Sequence, residues 1–156
     1  STRVFGFQIW NDSLVAFKHK LGLPLGRKTS VQIPPIFLKD NKLKTAVIRG
    51  IFDTDGCVYL EKRKKLYPRI EIFTISSTLA DQLYSILNEL GFRTTKYLGE
   101  KGKFPRQNKS LGYKISIRGE EMFHKFISII CPKNKKHIKK YNRFIESTKA
   151  LKTDIC

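Results

Sequence analysis

Cysteine, histidine and long apolar segments are all scarce in this 156-residue chain. Its three cysteines, Cys57, Cys131 and Cys156, are odd in number and far apart, which argues against a disulfide framework and against a paired-cysteine zinc site. The three histidines form no close ligand pair, so we expect them on surfaces or helix faces. The absence of a membrane-spanning run and of a secretory leader predicts an intracellular protein, cytoplasmic or in an organelle, without a membrane partner.

Acidic residues are also few. The sequence has 13 Asp and Glu against 31 Lys and Arg, and its formal net charge of +18 extends along most of the chain. A surface of this charge favours a polyanionic partner, and no basic amphipathic helix stands apart from the rest as a membrane-binding helix would. The composition therefore predicts nucleic acid as the partner.

The spacing of apolar residues predicts an α+β fold. Helical spacing covers residues 13–22, 43–53, 77–91, 120–131 and 134–148, whereas a period of two covers 57–63, 69–75, 92–98 and 113–119, with 64–68 as a loop. The helix at 77–91 would be capped by Ser76, Ser77 or Thr78. From residue 43 the order is αββαββα followed by a final helix, which we interpret as one sheet backed by helices without an internal repeat.

Two regions follow from this order. We assign residues 1–42 to an N-terminal helix and connector and residues 43–156 to a single globular domain. In the last helix we expect four residues to face inward: Ile138, Tyr141, Phe144 and Ile145.

The predicted helix that begins at Leu43 has two apolar faces. Ile48, Ile51 and Phe52 lie on one side and suit the core. On the other side, small residues at four-residue spacing allow another backbone to approach closely: Ala46, Gly50 and Thr54. A mid-helix glycine costs about 1 kcal/mol relative to alanine, so a close contact is expected there. That contact is either with an element of the same chain or with a second helix.

Two aspartates, Asp53 and Asp55, lie where this helix ends. Helix C-termini carry partial negative charge, so carboxylates there indicate a bound cation. The alternative is an ordinary helix-ending turn. An EF-hand is excluded because, counting from Asp53, glycine is fourth and lysine is twelfth. Neither GxxxxGK[ST] nor GxGxxG occurs, which excludes the common phosphate-binding loops.

The nonapeptide IRGIFDTDG, residues 48–56, resembles the signature of the LAGLIDADG homing endonucleases, DNA-cutting proteins encoded inside introns and inteins. Four residues match the signature identically: Gly50, Asp53, Asp55 and Gly56. Three match in apolar character, whereas Arg49 and Thr54 depart from it. The αββαββα order is also that of the family's core, so the resemblance covers roughly residues 43–148. The connector at 21–35 is similar to that of archaeal and intein members.

The resemblance implies an antiparallel, four-stranded, saddle-like sheet backed by helices. In this family two motif helices, from two subunits or from two halves of one chain, pack together and point their ends at DNA. Because one motif is present, we expect a homodimer, with four residues at its interface: Ala46, Gly50, Asp53 and Thr54. The alternative is that residues 1–42 are the end of a lost first half.

The resemblance also implies a catalytic site at the paired helix ends. Asp55 aligns with the metal-binding acid, and the Thr54 carbonyl is the second expected ligand of Mg²⁺ or Mn²⁺. Arg118 matches a basic position at the end of the fourth strand, with a phosphate contact or salt bridge as its alternative role. Ser76 matches a polar position that orients water, with helix capping as its alternative role. The expected reaction hydrolyses one phosphodiester in each strand of double-stranded DNA.

Strand alternation defines the expected DNA-contacting face. If Val58, Leu60, Ile70, Ile72, Ile115 and Ile117 face the core, eight residues in and beside the strands face outward: Tyr59, Glu61, Arg63, Arg69, Glu71, Phe73, Lys114 and Ser116. Such a mixture of donors, acceptors and rings suits base edges, and basic loops with Lys64, Lys103 and Arg106 would contact phosphates. A solvated face is the alternative. Two other functions stay open: a maturase that binds intron RNA, and a DNA-binding regulator without activity.

Overall fold

A computed structural model of the chain describes residues 10–23, 28–100 and 111–153, with side chains described to residue 99 and from 111 to 148. The elements are α1 (Asp12–Lys20), two 3-10 helices (Lys28–Ser30 and Pro35–Leu38), α2 (Asn41–Asp55), β1 (Gly56–Lys62), β2 (Leu66–Thr74), α3 (Ser77–Glu89), β3 (Thr94–Glu100), β4 (Leu111–Arg118), α4 (Glu120–Ile130) and α5 (Lys135–Thr153). The predicted α+β class and αββαββα order are therefore confirmed. Lys103 and Arg106 lie outside the described residues.

The four strands form one antiparallel sheet in the order β1-β2-β4-β3. Gly56 pairs with Ile72, which pairs with Ile115, so these three residues lie level across the sheet. The turn between β1 and β2 is confined to residues 63–65, and the predicted loop at 64–68 is wrong at its C-terminal end. Leu66 pairs with Lys62, so the strand pairing of this hairpin continues past the proline at position 68 up to the turn.

Helices cover one face of the sheet and form the core with it. The strand residues predicted to face inward are buried, with Leu60 half-buried: Val58, Ile70, Ile72, Ile115 and Ile117. The inward set of α5 is wrong at one position, because Ile138 is 41% exposed while its neighbour His137 is buried. His137, Tyr141 and Phe144 follow the i, i+4, i+7 spacing of a single helix face, which leaves Ile138 beside it.

Helix α2 links this core to the acidic end of the nonapeptide, residues 53–55. Its N-terminus is capped by Asp40, whose Oδ1 accepts a hydrogen bond from the Leu43 amide at 2.8 Å. Near its C-terminus the fully buried Phe52 packs edge-on against Phe126, with ring centroids 4.8 Å apart. Within the described residues no helix combines the length and apolar character of a membrane span.

Glycine is required at the end of α2 by space and not by backbone angles. Gly56 has φ −79° and ψ 160°, which any residue can adopt. A Cβ atom there would lie 2.1 Å from Cδ2 of Phe52 and 2.5 Å from its carbonyl oxygen. At Gly50, by contrast, a Cβ atom would meet nothing within 4 Å. The presence of glycine therefore has a different explanation at each position. At Gly56 a side chain would clash with Phe52, whereas at Gly50 the described residues leave room for one.

We predict opposite effects for alanine at these two positions. Gly56→Ala should lower the free energy of unfolding by about 1–3 kcal/mol, because Phe52 must move out of a packed core. Gly50→Ala should raise it by up to about 1 kcal/mol in the monomer, because alanine is the better helix former. Urea denaturation measures both. A Gly56→Ala protein as stable as the wild type would contradict the packing of Phe52 beneath the turn.

Candidate metal and nucleic-acid site

The two carboxylates at the end of α2 have different surroundings. The Asp53 carboxylate accepts hydrogen bonds from the Lys133 amide, at 2.9 and 3.2 Å, and from the Asn134 amide at 3.1 Å. The Asn134 side chain donates in return to the Asp53 carbonyl at 2.7 Å. Because these residues lead into α5, Asp53 joins the end of α2 to the start of α5. Its contacts here are within its own chain, and its place at a subunit interface stays a prediction.

Asp55 has no such partners. Its side chain is exposed, and in the described part of the chain its carboxylate forms no ion pair. The Thr54 hydroxyl lies 3.5 Å from it but is better placed to donate to the carbonyls of Gly50 and Ile51, at 3.0 and 3.1 Å. A carboxylate at a helix C-terminus is electrostatically unfavourable. Asp55 is therefore held in place with its charge uncompensated.

One chain does not assemble a complete metal site from the described residues. No group of three or more His, Cys, Asp or Glu side chains comes together in residues 10–23, 28–100 and 111–153. The Asp55 carboxylate and the Thr54 carbonyl are hard oxygen donors, which suit Mg²⁺ or Mn²⁺. Further ligands have to come from a second motif helix, from phosphate or from water.

Ser76 is buried and serves the fold. Its hydroxyl oxygen accepts a hydrogen bond from the Leu79 amide at 3.2 Å, which caps α3, and its hydroxyl donates to the Val31 carbonyl at 2.6 Å. The side chain has no exposed surface. The predicted role in orienting a catalytic water is therefore corrected: Ser76 caps α3 and tethers the connector that precedes α2.

Arg118 lies far from Asp55 in the same chain. It pairs with Arg69, which pairs with Tyr59, so it is two strands over from Gly56 and three residues further along the sheet. Strands lie about 4.8 Å apart and rise about 3.3 Å per residue, which puts the Cα atoms of Arg118 and Gly56 roughly 14 Å apart. The reason is the direction of β4, which runs away from the end of the sheet where α2 meets β1. The structure does not bring Arg118 together with Asp55.

A basic side chain that the sequence analysis did not single out contacts the strand that directly follows Asp55. Lys140 of α5 reaches around the edge of β1, where its ammonium group donates to the Val58 carbonyl and lies 3.9 Å from Sγ of Cys57. It also lies 5.8 Å from the centre of the Tyr59 ring. Cys57 is the second residue of β1 and follows two residues after Asp55, which ends α2. Lys140 and Cys57 are more than 80 residues apart in the sequence, so only the packing of α5 beside β1 shows that they lie close together.

The outer face of the sheet carries a connected polar network. The guanidinium group of Arg69 lies between two carboxylates, 2.7 Å from Glu61 and 3.3 Å from Glu71, and 4.9 Å from the centre of the Tyr59 ring. A hydrogen bond from Arg63 holds the pKa of Glu61 below its ordinary value, so this carboxylate stays ionised. Seven of the eight residues predicted to face outward are at least partly exposed, and Ser116 is the exception because it is buried. The contact of the exposed residues with DNA stays a prediction.

Two other tyrosine and lysine contacts extend the network towards β3. The Tyr97 hydroxyl donates to Glu71 at 3.2 Å, and burial raises the pKa of Tyr97, which keeps this donor protonated. Lys114 lies 5.9 Å from the centre of the Tyr97 ring. Ser116 is only 1% exposed, so it has no surface for direct contact with a base. Its hydroxyl oxygen lies 3.4 Å from Nε of Arg118 and can accept a hydrogen bond from it.

The small-residue stripe of α2 is open. Ala46, Gly50 and Thr54 are all exposed, and apart from the adjoining backbone of α2 no described atom lies within 4 Å of a Cβ placed on Gly50. The alternative that Gly50 accommodates a neighbouring element of the same chain is therefore wrong for the described residues. Beside the stripe lies a cavity of about 550 Å³ between α2, the connector and the end of β2, and Asp55 is one of its lining residues.

His137 supports the same helix end from the core side. Its ring is buried 4.3 Å from that of Phe52, and its Nε2 lies 3.2 Å from the Phe52 carbonyl. Burial lowers the pKa of His137, so the neutral ring donates this hydrogen bond at pH 7. His137 thus lies on a helix face, one of the two places expected for the histidines, and this face is the buried one.

Comparison with known proteins identifies the family. Residues 42–131, more than half of the chain, match the family model described as LAGLIDADG-like domain, and the chain belongs to this family. The Replicative DNA helicase DnaB of Rhodothermus marinus is 29% identical over 98 residues, which cover 61% of this chain and 10% of that protein. The Ribonucleoside-diphosphate reductase NrdEB subunit alpha of Bacillus subtilis (strain 168) is 26% identical over 133 residues, covering 78% of this chain and 12% of that protein. The protein of that name from Bacillus phage SPbeta gives the same values. The chain thus spans about a tenth of the length of these relatives.

The different surroundings of the two aspartates predict different costs of removal. Asp53→Ala should lower the free energy of unfolding by about 1.5–3 kcal/mol, because two backbone amides lose a charged acceptor. Asp55→Ala is the matched control and should leave it unchanged or raise it by a few tenths of a kcal/mol, because a carboxylate leaves a helix C-terminus. Urea denaturation at pH 7 compares them. Equal losses would refute this division of roles.

Proposed function

We propose that this protein is a divalent-metal-dependent, site-specific DNA endonuclease that hydrolyses one phosphodiester in each strand of its target. Family membership and the basic composition support the class of activity. The observation that carries the proposal is the contrast at the end of α2: Asp53 accepts hydrogen bonds from backbone amides, whereas Asp55 is exposed and has no counter-charge among the described residues. A free carboxylate fixed at the end of a rigid helix suits a shared metal ion.

The residues of this chain would act in three ways. Asp55 and the Thr54 carbonyl would hold Mg²⁺ or Mn²⁺, which supplies a Lewis acid that activates water and stabilises the leaving oxygen. The ammonium group of Lys140 would place positive charge near the scissile phosphate. The network around Arg69 would contact base edges, because its ring and ion-pair partners hold the guanidinium group in one orientation.

The site requires a second motif helix. Two identical acidic ends brought together would repel each other unless a divalent cation lies between them. The open stripe of Ala46, Gly50 and Thr54 is the surface on which the second helix would pack. It would come from a second copy of the chain, the homodimer predicted from the sequence, or from another half of the same polypeptide.

The relatives support a mobile element as the source of the activity. A replicative helicase and a ribonucleoside-diphosphate reductase have unrelated names, yet each contains a segment similar to this chain that makes up about a tenth of its length. Sharing of this kind suits a sequence inserted into different host proteins. A nuclease that cuts uninserted copies of its host gene would account for such insertion.

For the reaction, we predict that Asp55→Asn abolishes cleavage of a duplex DNA library in Mg²⁺ while the affinity for the target changes by less than about threefold. The carboxylate would hold the metal, whereas phosphate and base contacts supply the affinity. Sequencing of cut ends and gel-shift titration measure the two quantities. The wild-type sample must have a molar mass that corresponds to an assembly with two motif helices. If such a sample binds DNA without cleaving it, the endonuclease proposal is refuted. Preference for a structured intron RNA over duplex DNA would favour the maturase instead.

For the basic residues, we predict different effects at two positions. Lys140→Met should lower the single-turnover cleavage rate at least tenfold, because its charge lies beside the strand that follows Asp55. Arg118→Met should instead weaken DNA binding and reduce the salt dependence of the affinity, as loss of a phosphate contact would. Unfolding curves of both variants control for folding. If Arg118→Met lowers the cleavage rate and Lys140→Met does not, the catalytic basic residue is Arg118 of β4 and not Lys140.

A further inference from the structure

The exposed side of α5 carries a row of basic side chains that no described acidic side chain balances. Lys135, Lys139 and Arg143 follow one another at four-residue spacing, which puts them on one side of the helix, and all three are exposed. We call these three residues the α5 row. They line one groove along the helix together with Ile138, Asn142 and Glu146. Within the described chain, none of the three basic groups forms an ion pair.

Basic side chains that contact α3 are balanced differently. Lys44 pairs with Glu89 of α3 at 2.7 Å, and Lys96 pairs with Asp81 of the same helix. The sequence has few acidic residues, and several of them are engaged in pairs of this kind. The α5 row therefore keeps its full positive charge.

The position of these charges destabilises α5 on its own. The N-terminus of a helix carries partial positive charge, yet the first turn of α5 contains Lys135 and no acidic residue. Helix α4, by contrast, begins with two glutamates. Like charges four residues apart on a helix also repel each other, as Lys135 does Lys139 and Lys139 does Arg143. A bound polyanion would relieve both repulsions.

The α5 row lies on the side of the helix that faces away from the sheet. His137 and Phe144 are buried in the core, and at about 100° per residue the α5 row falls on the opposite side. Through its buried side, α5 packs on β1 and β2. A helix with its side chains is about 10–12 Å in diameter. A duplex on the outer face of the sheet would therefore be separated from the α5 row by the sheet and by the width of the helix.

The chemistry of this surface suits a phosphate backbone. Tyr141 offers no free ring for stacking with unpaired bases, because it is half-buried, packs edge-on against Phe123 and has its hydroxyl 2.9 Å from Nδ1 of His124. The apolar side of α5 is in the core and cannot enter a membrane. Duplex DNA carries one negative charge per about 1.7 Å of its axis, so its backbone offers phosphates to a row of cations.

We propose that the α5 row is a second, sequence-independent binding surface for duplex DNA, on the side of the protein opposite the outer face of the sheet. This rests on the proposed function, because it takes that outer face as the first DNA surface. The three cations would contact phosphates, with the Asn142 amide as a further donor. The protein would then hold two DNA segments at once and pass from one to the other without dissociating, which would speed the search for its target.

Simultaneous binding of two duplexes tests the proposal. Two random-sequence duplexes with different fluorophores are mixed with the protein in buffer without divalent metal, so that the result does not depend on cleavage. We expect energy transfer from complexes that contain both duplexes. Reversing the charge of the α5 row should lower this signal at least about tenfold and change the affinity for a single duplex by less than about twofold. This variant combines Lys135→Glu, Lys139→Glu and Arg143→Glu.

A matched control makes the same change of net charge elsewhere. It reverses three exposed lysines that form no ion pair within the described chain: Lys18→Glu, Lys39→Glu and Lys42→Glu. The control should keep at least about half of the signal, because long-range attraction alone changes. The thermal midpoint of the α5 variant should not fall, since glutamate suits the start of a helix. Equal losses of signal in the two variants would reduce the effect to net charge and overturn the proposal.

Four other results would also overturn it. These are a wild-type protein that never holds two duplexes, a signal that persists in the α5 variant, an equal loss of single-duplex affinity in that variant, and a structured RNA that displaces the second duplex better than unlabelled duplex DNA does. A protein that holds two duplexes but never cuts DNA would refute the endonuclease and leave this proposal standing. One that cuts its target but holds a single duplex would refute the second surface alone.

Discussion

The hydrogen bonds of Asp53 to the backbone that leads into α5 are the interaction on which the site depends. They fix the end of α2 against α5 and, together with the buried Phe52 and His137, give the last turn of the helix a rigid support. Asp55, two residues further on, is then held at a defined place although no described residue forms an ion pair with it. One carboxylate supports the fold, and the other is exposed and available for the proposed metal ion.

The same division between support and function runs across the sheet. Inner residues such as Ile70 and Ile115 build a core with the helices, while the outer residues around Arg69 neutralise one another in an ion-pair and aromatic network. In water such surface pairs contribute little to stability. In the proposed complex they would hold donors and acceptors in fixed positions on the face that contacts DNA. The excess positive charge of the chain would supply the long-range attraction.

Much of the fold could be predicted because local patterns determine it. The alternation in β1, β2 and β4 identified the buried strand residues, and the nonapeptide located the acidic end of α2. What failed depended on distant contacts. The burial of Ser76 against Val31, the separation of Arg118 from Asp55 and the approach of Lys140 to β1 all follow from the packing of elements 40 or more residues apart.

The account claims that Asp55, and not Asp53, binds the metal ion. Anomalous diffraction from crystals of the DNA complex grown with Mn²⁺ tests this most directly, because it locates the ion without an assumption about activity. The account predicts an anomalous peak at the Asp55 carboxylate, between two motif helices and beside a phosphate, with the Asp53 carboxylate still bound to the amides of Lys133 and Asn134. A peak at Asp53, or one away from both helix ends, would contradict it.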